Sequence, residues 1–560
     1  MKESKSPATY IRAASLLFLI GALSNISLAA PGGEAWVQSY HKADSYDNIP
    51  LALAVAGNGN AVVTGTSADE FGLKSWLTVA WSSSGNMLWA HSYHGPVEFA
   101  DEQPNALAVD ASGNTYVTGV VLAAGTGNQD YLTIKYSSDG VPTWSRTYNG
   151  TASGNDGATA IVLDADGNVI VTGLSMGTSG LGNFFDCVTI KYSPDGEPLW
   201  ANRYNGPGNK EDSPVDVALD AAGNVLVTGA SQTQEGHFDY LTLAISPDGE
   251  ALWARQYNGP GNGNDFGKAL AVDRDGKVFV TGFSDSGGNT SVAEYATVAY
   301  SPAGDLLWAD RYHANDLKQG TYNLASDVAV DNAGNVFVTG GAGGGPGGGM
   351  ATLKYSNTGT QLWAQIYKGP SAFGFNDDGR AVAVDGSGNV IVTGRSYAEN
   401  NSDEGDFATI AYSNAGVPLR TQRYNGPANG DDTPMNRKSL GLEPDGSVYV
   451  TGASDQDPSE GRQYQFVLTV TPGAARNWQR CDCSGDGVRN ITDPITLLSS
   501  LFQGAGSPGC PDACDCSGDR IVDITDAIFD LTFQFLGGDA PPVPYPACEE
   551  FPSCGEACPR

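Results

Sequence analysis

Apolar residues along this chain fall in runs of four to eight positions, cut by Gly, Asn, Asp and Pro, and the runs come in sets of four. One set opens on Trp200-Ala-Asn-Arg-Tyr204 and continues through Val217-Ala-Leu-Asp220-Ala-Ala-Gly223-Asn224 and Val225-Leu-Val-Thr-Gly229. It then runs through Asp239-Tyr-Leu-Thr-Leu-Ala-Ile-Ser246 and closes on Pro247-Asp248-Gly249 before the next tryptophan, Trp253. Runs this short, bounded by turn formers, predict strands joined by tight hairpins, and four in succession predict an antiparallel meander. The Asp-x-x-Gly-Asn and Pro-Asp-Gly elements supply the positive φ and the side-chain caps that such hairpins require. The first strand, rich in Ala and Val, is small and apolar, as an innermost strand in a crowded centre needs to be. The fourth carries the Trp and the Tyr.

The frame around Val-Thr-Gly returns eight times, with its threonine at Thr64, Thr118, Thr172, Thr228, Thr281, Thr339, Thr393 and Thr451. A period of this size marks a stacked or circular array. The tripeptide reads as the end of a strand inside each unit. Tryptophan holds its slot at Trp36, Trp89, Trp144, Trp200, Trp253, Trp308 and Trp363; in the eighth copy Arg420 replaces it. Each strand type occurs eight times, thirty-two strands in all. The chain starts its repeats with a fourth strand (Trp36–Tyr40) and ends them on a third (residues 465–471), so each end lacks what the other supplies. A ring closed by pairing those strands leaves no open edge, whereas a solenoid would want distinct caps. The expected fold is all-β: an eight-bladed β-propeller of four-stranded antiparallel blades, with a seven-bladed ring plus a degenerate unit as the alternative. In such an array shared residues build the unit, and chemistry is sought in what differs between copies.

Asp-x-x-Gly-Asn followed by Val-x-Val-Thr-Gly, as at 331–340, resembles the bacterial β-propeller repeat family known as SBBP, over about residues 36–471. The Asp-Gly-x-x-x-Trp element (Asp195-Gly196 to Trp200) is also similar to the tryptophan-docking motif of quinoprotein propellers. Wedging a Trp between neighbouring blades explains that second likeness equally well.

After Gly473 the grammar changes. Asp482, Ser484, Asp486, Asn490 and Asp493 place oxygen-bearing side chains at positions 1, 3, 5, 9 and 12 of a loop. Asp515, Ser517, Asp519, Asp523 and Asp526 repeat this 33 residues later. Calcium takes six to eight oxygens, and a twelve-residue loop supplies them at these offsets plus the position-7 carbonyl, here that of Val488 and of Ile521. Two calcium ions are expected. Behind the loops run amphipathic helices carrying Ile495, Leu498, Leu501 and Phe502, then Ile528, Leu531 and Phe535. Both loops end in Asp rather than Glu; with the duplication, this resembles the type I dockerin domain, over roughly 481–539. That resemblance implies a cohesin-type or cell-surface protein partner, read in part by Ile491-Thr492 and Ile524-Thr525 at loop positions 10 and 11. Two features depart from the pattern. Arg520 stands at position 6 of the second loop where glycine is usual, and Cys481, Cys483, Cys514 and Cys516 flank the first ligands.

The N-terminus has Lys2, Lys5 and Arg12, an apolar run over 13–23, and then Ser27-Leu28-Ala29, the three parts of a secretory signal. The expected divisions are a signal peptide over 1–29, the propeller over 30–475 and the Cys-rich calcium-binding module over 476–560. The apolar run is short for a membrane span, so the mature chain is expected to be exported, either secreted or held in the periplasm or at the cell surface, without a transmembrane segment. Eight of nine cysteines lie between positions 481 and 558, which reads as a disulfide framework of undetermined pairing. Cys187, alone among the repeats, takes a slot held by Tyr131 and Tyr240 elsewhere and is expected to be a buried thiol. The formal charge is −33, with 63 Asp and Glu against 30 Lys and Arg, and this excludes a nucleic-acid binder that works through a basic face.

Catalytic constellations do not emerge. The histidines His41, His91, His94, His237 and His313 fall in different copies without zinc-like spacing; His91 and His94 read as surface variation. No Gly-x-Ser-x-Gly elbow or phosphate loop occurs. The acids before the first strands (Asp101, Asp156, Asp212, Asp265, Asp378, Asp432) recur regularly enough to be structural caps. Asp164-Ala-Asp166-Gly and Asp273-Arg-Asp275-Gly suit hairpin turns better than calcium sites. The expected function is a non-catalytic binding or scaffold protein that presents a ligand, glycan or protein surface. A polysaccharide-active enzyme with a dockerin-like tail is the alternative. A quinoprotein-like dehydrogenase would need a cationic, polar pocket at the ring centre, where the inward strands read as Ala and Val.

Overall fold

A computed structural model describes residues 36–472 apart from 98–99, 178–183, 287–292, 315–322, 344–347, 372–376, 398–403 and 457–462, together with the helix Thr492–Gln503 and residues 524 and 526–528. Within 36–472 the chain is all-β. Its repeating unit is a four-stranded antiparallel sheet in sequence order, such as Asp212–Leu219, Val225–Gln232, Phe238–Ile245 and Ala251–Tyr257. Two successive units join in one sheet through the pair Gly341 and Asp378. The strand Trp36–Tyr40 pairs antiparallel with Tyr464–Thr471, Trp36 opposite Val470, so the first segment completes the last sheet as expected. First strands of successive copies pack side by side, and Asp47–Val55 packs against Val448–Asp455 of the last copy. Repeated four-stranded antiparallel sheets in this arrangement are typical of a β-propeller.

The apolar core is cut into slices, each lying between two neighbouring sheets. One slice gathers Leu226, Tyr240 and Ala244 from one sheet with Leu270, Val278, Val280 and Val298 from the next. Each buried valine or leucine contributes roughly 1.5–3 kcal/mol by leaving water, so adjoining units hold one another. The tryptophan slot does the same at the rim. Trp200 Nε1 donates to the Pro247 carbonyl of the following unit at 2.9 Å, and its ring lies under Gly249, whose φ is +91°. Trp36, Trp89, Trp144, Trp253, Trp308 and Trp363 make the equivalent bond to Ser83, Ser138, Pro194, Pro302, Asn357 and Asn414.

Val-Thr-Gly does not end its strand, as the sequence reading had it, but sits in the middle. Thr228 is fully buried within Val225–Gln232 and donates to the Leu241 carbonyl of the third strand at 2.8 Å. In several copies the threonine meets a second one, as Thr172 meets Thr189 at 3.0 Å. The glycine answers a bulge in the first strand, where the pairing register slips between Pro214 and Asp216. That bulge presses the Ser213 carbonyl against Gly229, where a Cβ would lie 2.0 Å from the oxygen. Only a residue without a side chain accommodates it.

The turn chemistry matches expectation. Asp220 Oδ1 accepts from the Ala222 and Asn224 amides and Oδ2 from the Asn224 side chain, closing the hairpin around Gly223. Asp164 and Asp273 cap their turns in the same way, and Asp164 also pairs with Lys191 at 2.9 Å.

The recurring acids are structural, but two stand one position from the expected place. Sixteen residues before the repeat threonine lie Asn48, Glu102, Asp156, Asp212, Asp265, Asn323 and Asp377. Each of these is buried, as is Asp432. Asp156, Asp212, Asp265 and Asp432 accept from the amides of Gly150, Gly206, Gly259 and Gly426. Glu102, not Asp101, accepts from Gly95, and Asp377, not Asp378, accepts from Gly369. Where two acids adjoin, strand alternation turns one inward and leaves the other free for another place. Cys187 is a free thiol, 1% exposed, as expected. His91 departs from expectation: its ring packs 5.0 Å from that of Tyr136.

Candidate functional site

The bulge that shapes each first strand also aims one residue per copy at the centre of the ring. These residues stand thirteen before the repeat threonine: Leu51, Asn105, Thr159, Val215, Lys268, Ser326 and Arg380. They are skipped in the pairing register, so their side chains and carbonyls are released from the sheet. Bulges re-aim side chains in this way beside functional sites. The slot holds a different residue in each of these seven copies, running from leucine to lysine and arginine. The sequence expectation of a small, apolar centre is therefore corrected: the centre is polar and charged.

The eighth copy departs from the rest. Nineteen residues, not sixteen, separate Asp432 from Thr451, and the extra chain splits its first strand into Asp432–Thr433 and Leu440–Leu442 around the 3-10 turn Arg437–Ser439. Asn436 caps that turn, accepting from the Lys438 amide at 2.8 Å, while Ser439 Oγ accepts from the Asn436 amide. The turn enters the centre and satisfies the freed bulge carbonyls. Asn436 Nδ2 donates to Leu51 at 2.8 Å, Lys438 Nζ to Asn105 and Thr159 at 3.2 and 2.9 Å, and Arg437 to Val215 at 2.5 Å. Arg437 also pairs with Asp216. Further bonds link successive first strands: Asp216 Oδ2 accepts from the Leu270 amide at 3.0 Å, and Asp327 Oδ2 from the Val382 amide at 2.8 Å.

Burial so close to cations shifts several groups. Burial, then Arg437, pushes Lys438 down to about 7. Asp327 is pushed up to about 7 by burial, against the Val382 amide and Arg437. Burial raises Asp378 against the pull of Arg380 and Arg395.

The turn fills only one side of the centre. On the other side a cleft of about 570 Å³ remains, lined by the bulge residues Val215, Lys268, Ser326 and Arg380 and by Arg395, Tyr397 and Arg437. Phe283, Gly341, Gly343 and Asp378 also belong to its wall. Arg380 pairs with Asp378 at 2.9 Å, and Arg395 with Asp431 at 2.5 Å. Lys268 rests its ammonium 5.5 Å from the Phe283 ring centre and 5.6 Å from that of Phe266, and no carboxylate pairs with it among the described residues.

The calcium loops stand largely apart from these findings. Asp482, Ser484, Asp486, Val488, Asn490, Asp515, Ser517, Asp519, Ile521 and Asp523 lie outside the described residues, as do residues 1–35 and the C-terminal cysteines. Asp493 falls in the first turn of Thr492–Gln503, and Asp526 is fully buried. Leu497 and Leu498 of that helix pack with Ala527, while Ile495 and Leu501 are exposed. Among the described residues no three His, Cys, Asp or Glu side chains are grouped to hold a metal, and no helix is long and apolar enough to cross a membrane.

No family model matches the chain, and no curated protein does. Solved structures do. The polysaccharide lyase Uly1 is 11% identical with a TM-score of 0.42, over 68% of this chain and 91% of that one. The WD40 domain of SCAP from fission yeast is 12% identical with a TM-score of 0.42, over 78% and 98%. A eukaryotic initiation factor is 10% identical with a TM-score of 0.37, over 69% and 79%. Likenesses this distant carry no argument about ligand or activity.

Proposed function

We propose that the chain is an exported, non-catalytic binding or scaffold protein: an eight-bladed propeller of SBBP-type repeats tethered by a calcium-dependent, dockerin-like module. The observation that carries the binding role is the half-plugged centre. Units that share one backbone place a different residue there in each of seven copies, and the eighth copy fills one side while an open cleft remains on the other. The tether rests on the sequence, where two loops offer only oxygen donors at calcium spacing. Its partner is of the cohesin or cell-surface kind. Calorimetry and far-ultraviolet circular dichroism of the full chain with and without calcium test this. Heat for two ions and a gain in helicity are expected, because such loops couple folding to metal. No heat and no change in helicity would remove the tether.

A second reading, a polysaccharide-active enzyme, is favoured by one feature. Asp378 lines the cleft with its carboxyl raised by burial, the tuning a general acid needs. Turnover of a glycan by the full chain, abolished by Asp378→Asn, would replace the first reading.

A further inference from the structure

The open half of the centre is not neutral space. In a chain of formal charge −33, Lys268, Arg380, Arg395 and Arg437 converge on one cleft; Arg380, Arg395 and Arg437 pair with Asp378, Asp431 and Asp216, while Lys268 pairs with no carboxylate among the described residues. Two of those cations come from the bulge slot, which beside the plug holds Leu51, Asn105, Thr159 and Val215, the last also bordering the cleft. The plug brings its own cations to the bulge carbonyls of that half, so positive charge there is already matched by protein oxygens. In the open half two bulge residues, Lys268 and Arg380, carry charge themselves and line the cleft.

Two details show a shortage of negative charge. Lys268 has aromatic faces for neighbours and no carboxylate among the described residues, and burial with the nearby Arg437 lowers its pKa. The Arg380 Nε is buried without an acceptor among the described residues, although its Nη2 pairs with Asp378. An ammonium and a guanidinium fork placed together are the donors that a carboxylate satisfies, the fork in bidentate fashion. The wall also contains Phe283, Tyr397 and the small Gly341 and Gly343, and the volume lies within the roughly 300–1,000 Å³ of clefts that enclose organic ligands. A bare inorganic anion would leave most of that wall uncovered.

We propose that this cleft binds a carboxylate-bearing organic ligand, either a uronic-acid sugar or a multicarboxylic acid, with Lys268 and Arg380 as its carboxylate receptors. The proposal deepens the binding role above and rests on that reading, though not on the calcium tether.

The test is calorimetric titration of the full chain with a linear galacturonic acid trimer, with citrate, and with the neutral galactose trimer. Lys268→Gln and Arg380→Gln are titrated in parallel, their folds checked by near-ultraviolet circular dichroism. Binding of the acidic trimer or of citrate is expected, weakened about tenfold or more by either substitution and reduced at high salt. Binding of the acidic trimer assigns the sugar source, and binding of citrate alone assigns the other. If neither acid binds, or if both folded variants bind as the parent does, the proposal is overturned. Equal binding of the neutral trimer would overturn the carboxylate assignment while leaving the binding role of the cleft in place.

Discussion

Two consecutive copies, residues 156–204 and 212–257, share the same four-stranded sheet and differ, among other places, at the position before the last tyrosine of the fourth strand. In the first, Arg203 reaches Asp186 at 2.7 Å and Ser175 Oγ at 2.6 Å, and it closes on Gly150 beside Asp156. In the second, Gln256 takes the same slot and donates only to Ser231 Oγ at 2.9 Å. Its two buried acids, Asp212 and Asp239, then have no guanidinium of their own. Burial pushes Asp212 up to about 6, against help from Ser231 and Gly206; burial and the Asp265 carboxylate push Asp239 up to about 6. The same division runs around the ring. Arg311 and Arg423 serve Glu294 and Asp406 as Arg203 serves Asp186. Asp432, whose sheet lacks such an arginine, is pushed up to about 7 by burial. One backbone thus supports a charge-balanced and a charge-strained version of the same sheet.

The largest effect is expected from removing the cation where it exists. Arg311 and Glu294, 17% and 9% exposed, form a pair at 2.6 Å, so Arg311→Ala should cost roughly 3–5 kcal/mol by stranding a buried carboxylate. Urea unfolding measures this, and a loss under about 1 kcal/mol would break the comparison.

Next in size is Asp212→Asn in the strained copy. A folded pKa above the unfolded one means that the native state holds the extra proton, so stability is fully present below about pH 4 and is lost as pH rises through about 6. At neutral pH the substitution should therefore stabilise the chain by roughly 1–2 kcal/mol and flatten the fall in urea midpoint between those limits. Asp156→Asn, beside Arg203, should destabilise instead. The same sign for both would show that the arginine does not matter.

Gln256→Arg should turn the second copy into the first, gaining roughly 1 kcal/mol at neutral pH and reducing the same pH slope. Thermal unfolding at two pH values reads it. The smallest effect concerns Cys187, which stands in the balanced copy where the strained one has Tyr240. Burial pushes its thiol up to about 12, so a thiol reagent at neutral pH should leave Cys187 unlabelled until denaturant is added, as peptide mass spectrometry would show.

Much of the fold was legible in the sequence because it rests on local rules repeated many times. The Asp-x-x-Gly-Asn turns, the tryptophan slot, the pairing of the first strand with the last and the burial of Cys187 follow from short-range chemistry or from counting. The misreadings are equally physical. Adjacent acids such as Asp101 with Glu102 and Asp377 with Asp378 cannot be separated by composition, because strand alternation decides which one turns inward. Val-Thr-Gly looked like a strand end because its glycine suggests a turn, whereas that glycine accommodates a bulge in the neighbouring strand. The central site was missed although its signal was present: three extra residues in the last copy, and a variable slot thirteen before each threonine.

The sequence by itself determined the repeated unit, its hairpins and the spacing of oxygen donors in the two C-terminal loops, since these depend on residues within a few positions of one another. Only the tertiary structure decided what the units do together. It brings Leu51, Val215 and Arg437, which lie up to 386 residues apart, to one axis. The bulge residues, anonymous along the chain, become neighbours only when the first strands are packed side by side, and their charge acquires meaning only once the eighth copy has filled half of the space between them.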